Sequence, residues 1–330
     1  MATGRSTIIS VAPVFDDAGA AAMLRLRDEF GPYGMYSNEG HETGYAAELP
    51  QRIDAVRNHL RRRADLTVGE AAARTNYLRE TYAYGETITA PGIEAFLQHE
   101  GFVDAARRIH GRPLVEPAIV FANLYLPGQE LAIHTDVPEF RGASRTTTPQ
   151  WLLVAMHHSG LFEPWHMPIA TAIAFFGPGE SGALVTYPDG RNGERVDIAP
   201  THNTAVVLDT DSVFHGVDRV EGDATTALAA RPGMKVRPGA ERWTLLDAEG
   251  HELAGVDPAE MRFSVSWKAY CFADEPERAT WQAHADDLDL ESILDTIDAD
   301  LRARGVFVGD RPEPREFATL IIDAYTRFPT

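Results

Sequence analysis

The chain has 330 residues, 44% hydrophobic and 24% charged, which excludes collagen-like repeats and global disorder and allows one large or two modest domains. A formal charge of −19 opposes binding to phosphate backbones, and Lys235 and Lys268 are the only lysines, so nucleic acid is not an expected partner. No run reaches the roughly 18–20 apolar residues of a membrane helix, and the start shows no small-residue cleavage pattern, so a cytoplasmic protein without a membrane partner is expected.

Taken in chain order, Asp16 or Asp17 caps a helix from Ala18 to Phe30 carrying Ala22, Leu24, Leu26 and Phe30. Further helices are predicted at about 50–64, 68–80 and 92–109. Pro91 and Gly92 start the last of these, with Phe96, Phe102, Val103 and Ile109 toward a core. Residues 1–116 are therefore read as a mainly helical segment packed on the core of the protein. From Pro117 the period changes. Short apolar runs, AIVFANLYL, WLLVAMHH, ATAIAFFG, GALVTYP, TAVVLDT and RFSVSWKAY, alternate with turn residues. Such a succession predicts a mainly β sandwich or barrel over 117–272. Trp151 is read as the start of a strand and as core. Two insertions interrupt this region: 137–168, placed as a lid over the mouth of a site, and 235–260, whose two short runs about a DAEG turn form a hairpin. Residues 273–330 turn helical again, with Leu288, Ile293, Leu294, Ile297 and Leu301 at helical spacing, Gly305 as a C-cap and a last helix from Phe317 to Phe328. The 14 acidic residues against 6 arginines over 272–330 read as a solvated helical face.

The single cysteine, Cys271, excludes an internal disulfide and a thiolate cluster, so a metal must be held by histidine and carboxylate. On an extended chain the i, i+2 spacing points His134 and Asp136 to one side. Two histidines and one carboxylate with open positions make the facial triad of non-haem Fe(II) oxygenases, and the third ligand must come from elsewhere in the fold. A His-x-Asp triplet arises about once by chance in such a chain, and His284-Ala285-Asp286 is a second. That one falls where a helix is predicted, and residues two apart on a helix do not share a face.

The string around His134 resembles the Fe(II)/2-oxoglutarate-dependent dioxygenase superfamily, especially its prolyl-hydroxylase-like and DNA-demethylase-like branches. The family pattern N-x-Y-x-x-G-x-x-L-x-x-H-x-D is carried by Asn123, Tyr125, Gly128, Leu131, His134 and Asp136, with Pro127 before the glycine. GALVTYPDG is similar to the family's G-G-x-L-x-F strand, and NTAVVLDTDSVFHGVDRV to the segment that brings in the second histidine, here His215. The resemblance covers about 117–272 and implies a double-stranded β-helix, or jelly-roll, core with flanking helices. It further implies Fe(II) on His134, Asp136 and His215, with 2-oxoglutarate as co-substrate and O₂ as oxidant. The family's cationic anchor for 2-oxoglutarate lies on the strand after the second histidine, and two arginines compete for that role. Arg231 is closer to the usual spacing but sits in a loop broken by Pro232, whereas Arg262 lies in MRFSVSWKAY with Ser264 and Ser266 on its face. Arg262 with Ser264 is chosen, with Tyr125 and Asn123 as further co-substrate contacts. An aspartate at 136, where related halogenases have a small residue, favours hydroxylation, desaturation or ring formation.

The resemblance implies a hydroxylase of a small amino-acid-like or natural-product substrate that releases succinate and CO₂. A protein or peptide substrate, as for prolyl hydroxylases, is the alternative, and a jelly-roll metal or ligand sensor without turnover is a reading from another class. Arg141, Arg145, His157 and His158 are candidates for substrate contact, and His157, His158 and His166 flank the lid. The oligomeric state is left open.

Overall fold

The computed structural model of the chain describes residues 7–36, 42, 44–49, 52–74, 76–222, 231 and 233–326. Its strands are β1 (Ile8–Val11), β2 (Tyr33–Tyr36), β3 (Tyr77–Tyr84), β4 (Thr87–Ile88), β5 (Leu114–Tyr125), β6 (Leu131–His134), β7 (Glu139–Phe140), β8 (His166–Met167), β9 (Ile169–Phe175), β10 (Leu184–Tyr187), β11 (Val196–Ile198), β12 (Thr204–Leu208), β13 (Phe214–Val217), β14 (Lys235–Arg237), β15 (Trp243–Leu246), β16 (Glu252–Val256) and β17 (Arg262–Phe272). The larger sheet runs β1-β12-β9-β17-β5-β3-β2-β14-β15-β16, with β4 on β3, and the smaller runs β11-β10-β13-β6. The pairings are antiparallel, and consecutive strands pass from one sheet to the other: β9 to β10, β12 to β13, β5 to β6. This is the double-stranded β-helix. Ile173, Phe175, Val206 and Leu208 of the larger sheet meet Leu184 and Val213 of the opposite side to close the sandwich at one end.

Strand alternation gives the larger sheet two different faces. Val120, Ala122 and Leu124 of β5 and Phe263, Val265, Trp267 and Ala269 of β17 point outward into the largest apolar cluster. The helices Asp17–Glu29, Glu94–Leu97 and Glu100–His110 contribute Met23, Phe96 and Phe102 to the same cluster. The Trp267 indole N–H is satisfied by Leu97 O at 2.7 Å, so burial of that ring leaves no donor unpaired. The first helix starts at the predicted cap, where Asp16 Oδ1 accepts from Gly19 N at 2.8 Å.

The structure departs from the sequence expectations in several places. The helix predicted over 68–80 stops at Arg74, and Tyr77–Tyr84 is the strand β3. Together with β1 and β2 it carries the N-terminal segment into the larger sheet. The helix predicted over 92–109 is two, Glu94–Leu97 and Glu100–His110. Residues 151–158, predicted as a strand, form the helix Gln150–Ser159. Trp151 to Met156 are all buried there, and a helix enclosed on every side has no polar stripe from which its period can be read. Trp151 is core as expected, but in a helix. This part of the 137–168 insertion packs with Ile293, Leu301, Phe317 and Ile321 of the helices Leu290–Ala303 and Pro314–Tyr325 in a second apolar cluster. The 235–260 hairpin forms as β15–β16, and β14 joins it to β2. A further helix, Glu275–Gln282, is capped by Asp274. Phe328, the predicted end of the last helix, lies outside the described residues. Among the described residues no helix is long and apolar enough to cross a membrane.

Leu153 is fully buried in the second cluster, so Leu153→Ala is expected to cost about 2–5 kcal/mol, read as a lower midpoint of denaturant unfolding. A segment acting as a loose lid would instead tolerate the change within about 0.5 kcal/mol.

Candidate metal and co-substrate site

β6 and β13 are antiparallel neighbours, and His134 stands directly opposite His215, which places both imidazoles on one face. A Cβ at Gly216 would lie 2.6 Å from Leu131 O, so only glycine lets the two strands come this close after the histidine. Asp136 follows two residues after His134, and its backbone N–H donates to Thr210 O at 2.8 Å. His134 Nδ1 bonds to Ala132 O at 2.6 Å and His215 Nδ1 to Val213 O at 2.9 Å. These carbonyl acceptors assign the Nδ1–H tautomer to both rings and leave each Nε2 with a lone pair. Both Nε2 atoms lie 3.6 Å from Asp136 Oδ1, too far for a hydrogen bond and suited to a cation between them. The donor set fits a metal of the non-haem iron type: two imidazoles and a carboxylate on one side, with the cavity on the other.

The electrostatics agree. Burial, and then the neighbouring His215, lower the His134 imidazole to about 4, so it is neutral and able to ligate at pH 7. Burial alone would raise the Asp136 carboxyl, but the Lys268 ammonium holds it well below the usual carboxylate range. Lys268 Nζ sits 2.5 Å from Asp136 Oδ2 and 3.0 Å from Thr171 Oγ1. It thus takes the oxygen turned away from the histidines and leaves Oδ1 for a metal. Lys268 was not among the sequence-derived site residues, although the alternation of Arg262, Ser264 and Ser266 places it on the same face.

The inner face of the larger sheet supplies the rest of the cavity. Cross-strand rows align Tyr125 with Arg262, and Arg79 with Asn123 and Ser264. Arg262 is 2% exposed, and its Nε donates to Gly182 O at 2.6 Å and its Nη1 to Ser264 Oγ at 3.0 Å. Its guanidinium lies about 5 Å from the rings of Tyr125 (5.0 Å) and Phe175 (5.2 Å). No carboxylate among the described residues lies within ion-pair distance of it. Burial pushes it down to about 10, which still leaves it charged at neutral pH. A Cβ at Gly182, whose φ is +76°, would meet Arg262 Cδ at 2.7 Å, so this glycine makes room for the arginine. Asn123 Nδ2 donates to Ser266 Oγ at 2.9 Å, and the Tyr125 ring stacks on Tyr77. Arg231, the competing anchor, is exposed and does not reach the cavity.

The candidate substrate residues separate. Arg145 lines the cavity. Arg141 does not: it binds both oxygens of Asp286, at 2.7 and 2.8 Å, and Pro164 O, and so pins the C-terminal segment to the β7 region. His157 and His158 are corrected likewise. His158 Nε2 lies 3.3 Å from Thr135 Oγ1 and its ring stacks on Phe214, while His157 contacts Ser212 and His166. They buttress the ligand-bearing strands from behind. His284 and Asp286 sit in a turn rather than a helix, and they face different partners, Asp287 and Arg141. A second group of potential ligands, Asp247, Glu249 and His251, is an exposed hairpin turn closed by its own hydrogen bonds. Besides Lys268, the cavity residues that sequence reasoning missed include Tyr36, Arg52, Tyr77, Arg79 and Phe121, on elements outside the resembling strings or on apolar-looking strand positions.

No family model matches the sequence, and no curated protein matches it. Similar solved structures include an oxidoreductase of the 2OG-Fe(II) oxygenase family from Burkholderia pseudomallei, 9% identical over 80% of this chain and 85% of that one, with a TM-score of 0.43. A non-haem alpha-ketoglutarate-dependent epimerase from nogalamycin biosynthesis is 11% identical over 80% and 78%, at 0.42. A prolyl hydroxylase from Trichoplax adhaerens, in complex with a hypoxia inducible factor peptide fragment, is 12% identical over 83% and 86%, at 0.42. Scores of this size leave substrate and reaction to be read from the residues of the site.

Two outcomes are expected. Lys268→Met removes the cation that keeps Asp136 ionised and oriented, and should weaken divalent-metal binding about 10- to 100-fold in a competition titration; unchanged affinity would remove Lys268 from the site. Metal affinity should be flat above about pH 6 and fall toward pH 4, where a proton competes for His134 Nε2. In the metal-free chain the unfolded state binds that proton more readily, its histidines titrating near 6.5. Stability should therefore decline as pH falls from about 6.5 toward 4, as measured by thermal melts across that range.

Proposed function

We propose that the chain is a 2-oxoglutarate-dependent non-haem iron oxygenase that hydroxylates a small amino-acid-like or natural-product substrate. The observation that carries this reading is the pairing, in one cavity, of the His134–Asp136–His215 cluster with a buried guanidinium, Arg262, that has no carboxylate partner among the described residues. An uncompensated buried charge costs several kcal/mol, and the distal carboxylate of 2-oxoglutarate is the counter-ion that offsets it. Iron and 2-oxoglutarate, when bound, supply the oxidising chemistry: O₂ is consumed, 2-oxoglutarate is decarboxylated to succinate, and a substrate C–H bond is oxidised.

The chain's own residues do the positioning. His134, Asp136 and His215 hold the metal, and Lys268 keeps the carboxylate ionised on its second oxygen. Arg262 offers its remaining N–H groups to the distal carboxylate, Ser264 and Gly182 fix its orientation, and Tyr125 and Asn123 border the same pocket. Tyr77, Tyr125, Phe121 and Ile173 form apolar walls that exclude water from the reacting end. The cavity has apolar walls with a few convergent polar groups, Arg262, Ser264 and Asn123 among them, the make-up of a small-ligand pocket, which favours a metabolite over a folded protein segment.

Anaerobic titration with Fe(II) and then 2-oxoglutarate tests the reading through the weak visible charge-transfer band of a 2-oxo acid bidentate on iron. The band should be absent in His134→Ala. Arg262→Met should raise the 2-oxoglutarate concentration needed for it by about 30-fold or more, as for loss of one partner of a buried charge pair. Iron binding without a band would overturn the oxygenase reading in favour of a metal sensor.

A further inference from the structure

The cavity carries more positive charge than the metal and 2-oxoglutarate account for. Five cationic side chains line it, Arg52, Arg79, Arg145, Arg262 and Lys268, against one carboxylate, Asp136. Lys268 is taken by Asp136, Arg52 faces Asp54 at 3.8 Å and donates to Thr135 O, and Arg262 is the 2-oxoglutarate anchor of the proposed function. Arg79 and Arg145 remain. Among the described residues neither has an acidic group within ion-pair distance, and the hydrogen bond of Arg145 is a long one, 3.5 Å to Val137 O. Glu139, the nearest candidate partner for Arg145 by sequence, accepts instead from the Tyr270 hydroxyl at 2.9 Å.

The environment of Arg79 explains how such a charge is tolerated. Its guanidinium carbon lies 4.3 Å from the centroid of the Tyr36 ring and 4.3 Å from that of Phe121, so the planar group is clamped between two aromatic faces. The two rings flank the cation, and no acceptor among the described residues takes its N–H groups, so these donors are free to hold a planar or tetrahedral oxyanion in two-pronged fashion. Arg79 is also the cross-strand neighbour of Asn123, so it stands in the same row as the co-substrate pocket, one strand further along the sheet. Arg145 enters from the loop after β7, on the side of Asp136 and Val137. The two guanidinium groups come from different elements, a rigid strand and a loop, to one cavity that has no other use for them.

We propose that Arg79 and Arg145 are the specificity residues for the substrate, and that the substrate is an anion whose carboxylate or phosphate group is held at the edge of the Tyr36–Arg79–Phe121 clamp. That the bound anion is then oxidised rests on the oxygenase reading; that it binds here does not.

The test is calorimetric titration of the protein, saturated anaerobically with Fe(II) and 2-oxoglutarate, with propionate, methylphosphonate and neutral propionamide. One equivalent of an anionic probe should bind, propionamide should bind at least tenfold more weakly, and the preferred probe tells a carboxylate substrate from a phosphate one. Arg79→Met and Arg145→Met should each weaken anion binding at least tenfold while the 2-oxoglutarate band titrates within about threefold of the parent. Arg79→Lys and Arg145→Lys, which keep the charge, should recover most of the affinity and exclude misfolding as the cause. Failure of the co-substrate-loaded parent to bind either anion, or equal binding by the parent and the methionine variants, would overturn the proposal. Arginine-dependent anion binding in a protein that shows no 2-oxoglutarate band would sustain the anion site and overturn the oxygenase reading alone.

Discussion

The antiparallel ladder between β5 and β17 is the constraint on which the rest of the molecule depends. Its register runs from Arg262 opposite Tyr125 to Phe272 opposite Leu114, and because side chains alternate, it commits every second residue to one of two incompatible environments. One set, with Val120, Ala122, Phe263, Val265 and Trp267, forms the largest apolar core. The other, with Asn123, Tyr125, Arg262, Ser264 and Lys268, forms the floor of the cavity. A slip of one residue would bury Arg262 and Lys268 against Phe96 and Phe102 and turn Trp267 toward the metal ligands. The stability of the outer core thus holds the polar inner face in place, and the site inherits the rigidity of the sheet.

Charge follows a similar logic of separation. The chain is strongly acidic overall, yet its cavity is cationic, since the acidic residues concentrate on solvated helices such as those of the C-terminal segment. A cavity with low-dielectric walls and a surplus of guanidinium groups draws small anions inward against the field of the surface. Buried charges of this kind destabilise the empty protein, and binding of anionic ligands offsets the cost, so co-substrate binding and folding stability are linked. The same linkage makes the ligands and their buttresses one unit: Lys268 bonds both Asp136 and Thr171, Thr171 bonds Thr210, and Thr210 receives the Asp136 N–H.

Much of this was legible in the chain. The alternation in RFSVSWKAY marks the strand and its polar face, and the order of Asn123, Tyr125, His134, Asp136, His215 and Arg262 matches that of a known oxygenase pattern. The helices with polar stripes and caps, such as Asp17–Glu29 and Leu290–Ala303, were also legible. What misled was burial without a period. The run WLLVAMHH is apolar throughout because its helix is enclosed on all sides, and a continuous apolar run does not distinguish a buried helix from a buried strand. Arg141 and Arg145 illustrate the other limit. Four residues apart on one loop and chemically identical, they part ways only because Asp286, far along the chain, comes to meet the first and not the second.

By itself the sequence determined the local quantities: which segments alternate, where helices are capped, which residue types can ligate a metal, and the absence of any thiolate alternative. These follow from the chemistry of neighbours a few positions apart. Only the tertiary structure decided that His134 stands opposite His215, that Lys268 rather than another group sets the charge state of Asp136, and that Arg79 is clamped between Tyr36 and Phe121 at the edge of the same cavity. Each of these is a contact between strands or loops distant in sequence, fixed by sheet register and by which apolar faces must be buried together, and no local pattern encodes it.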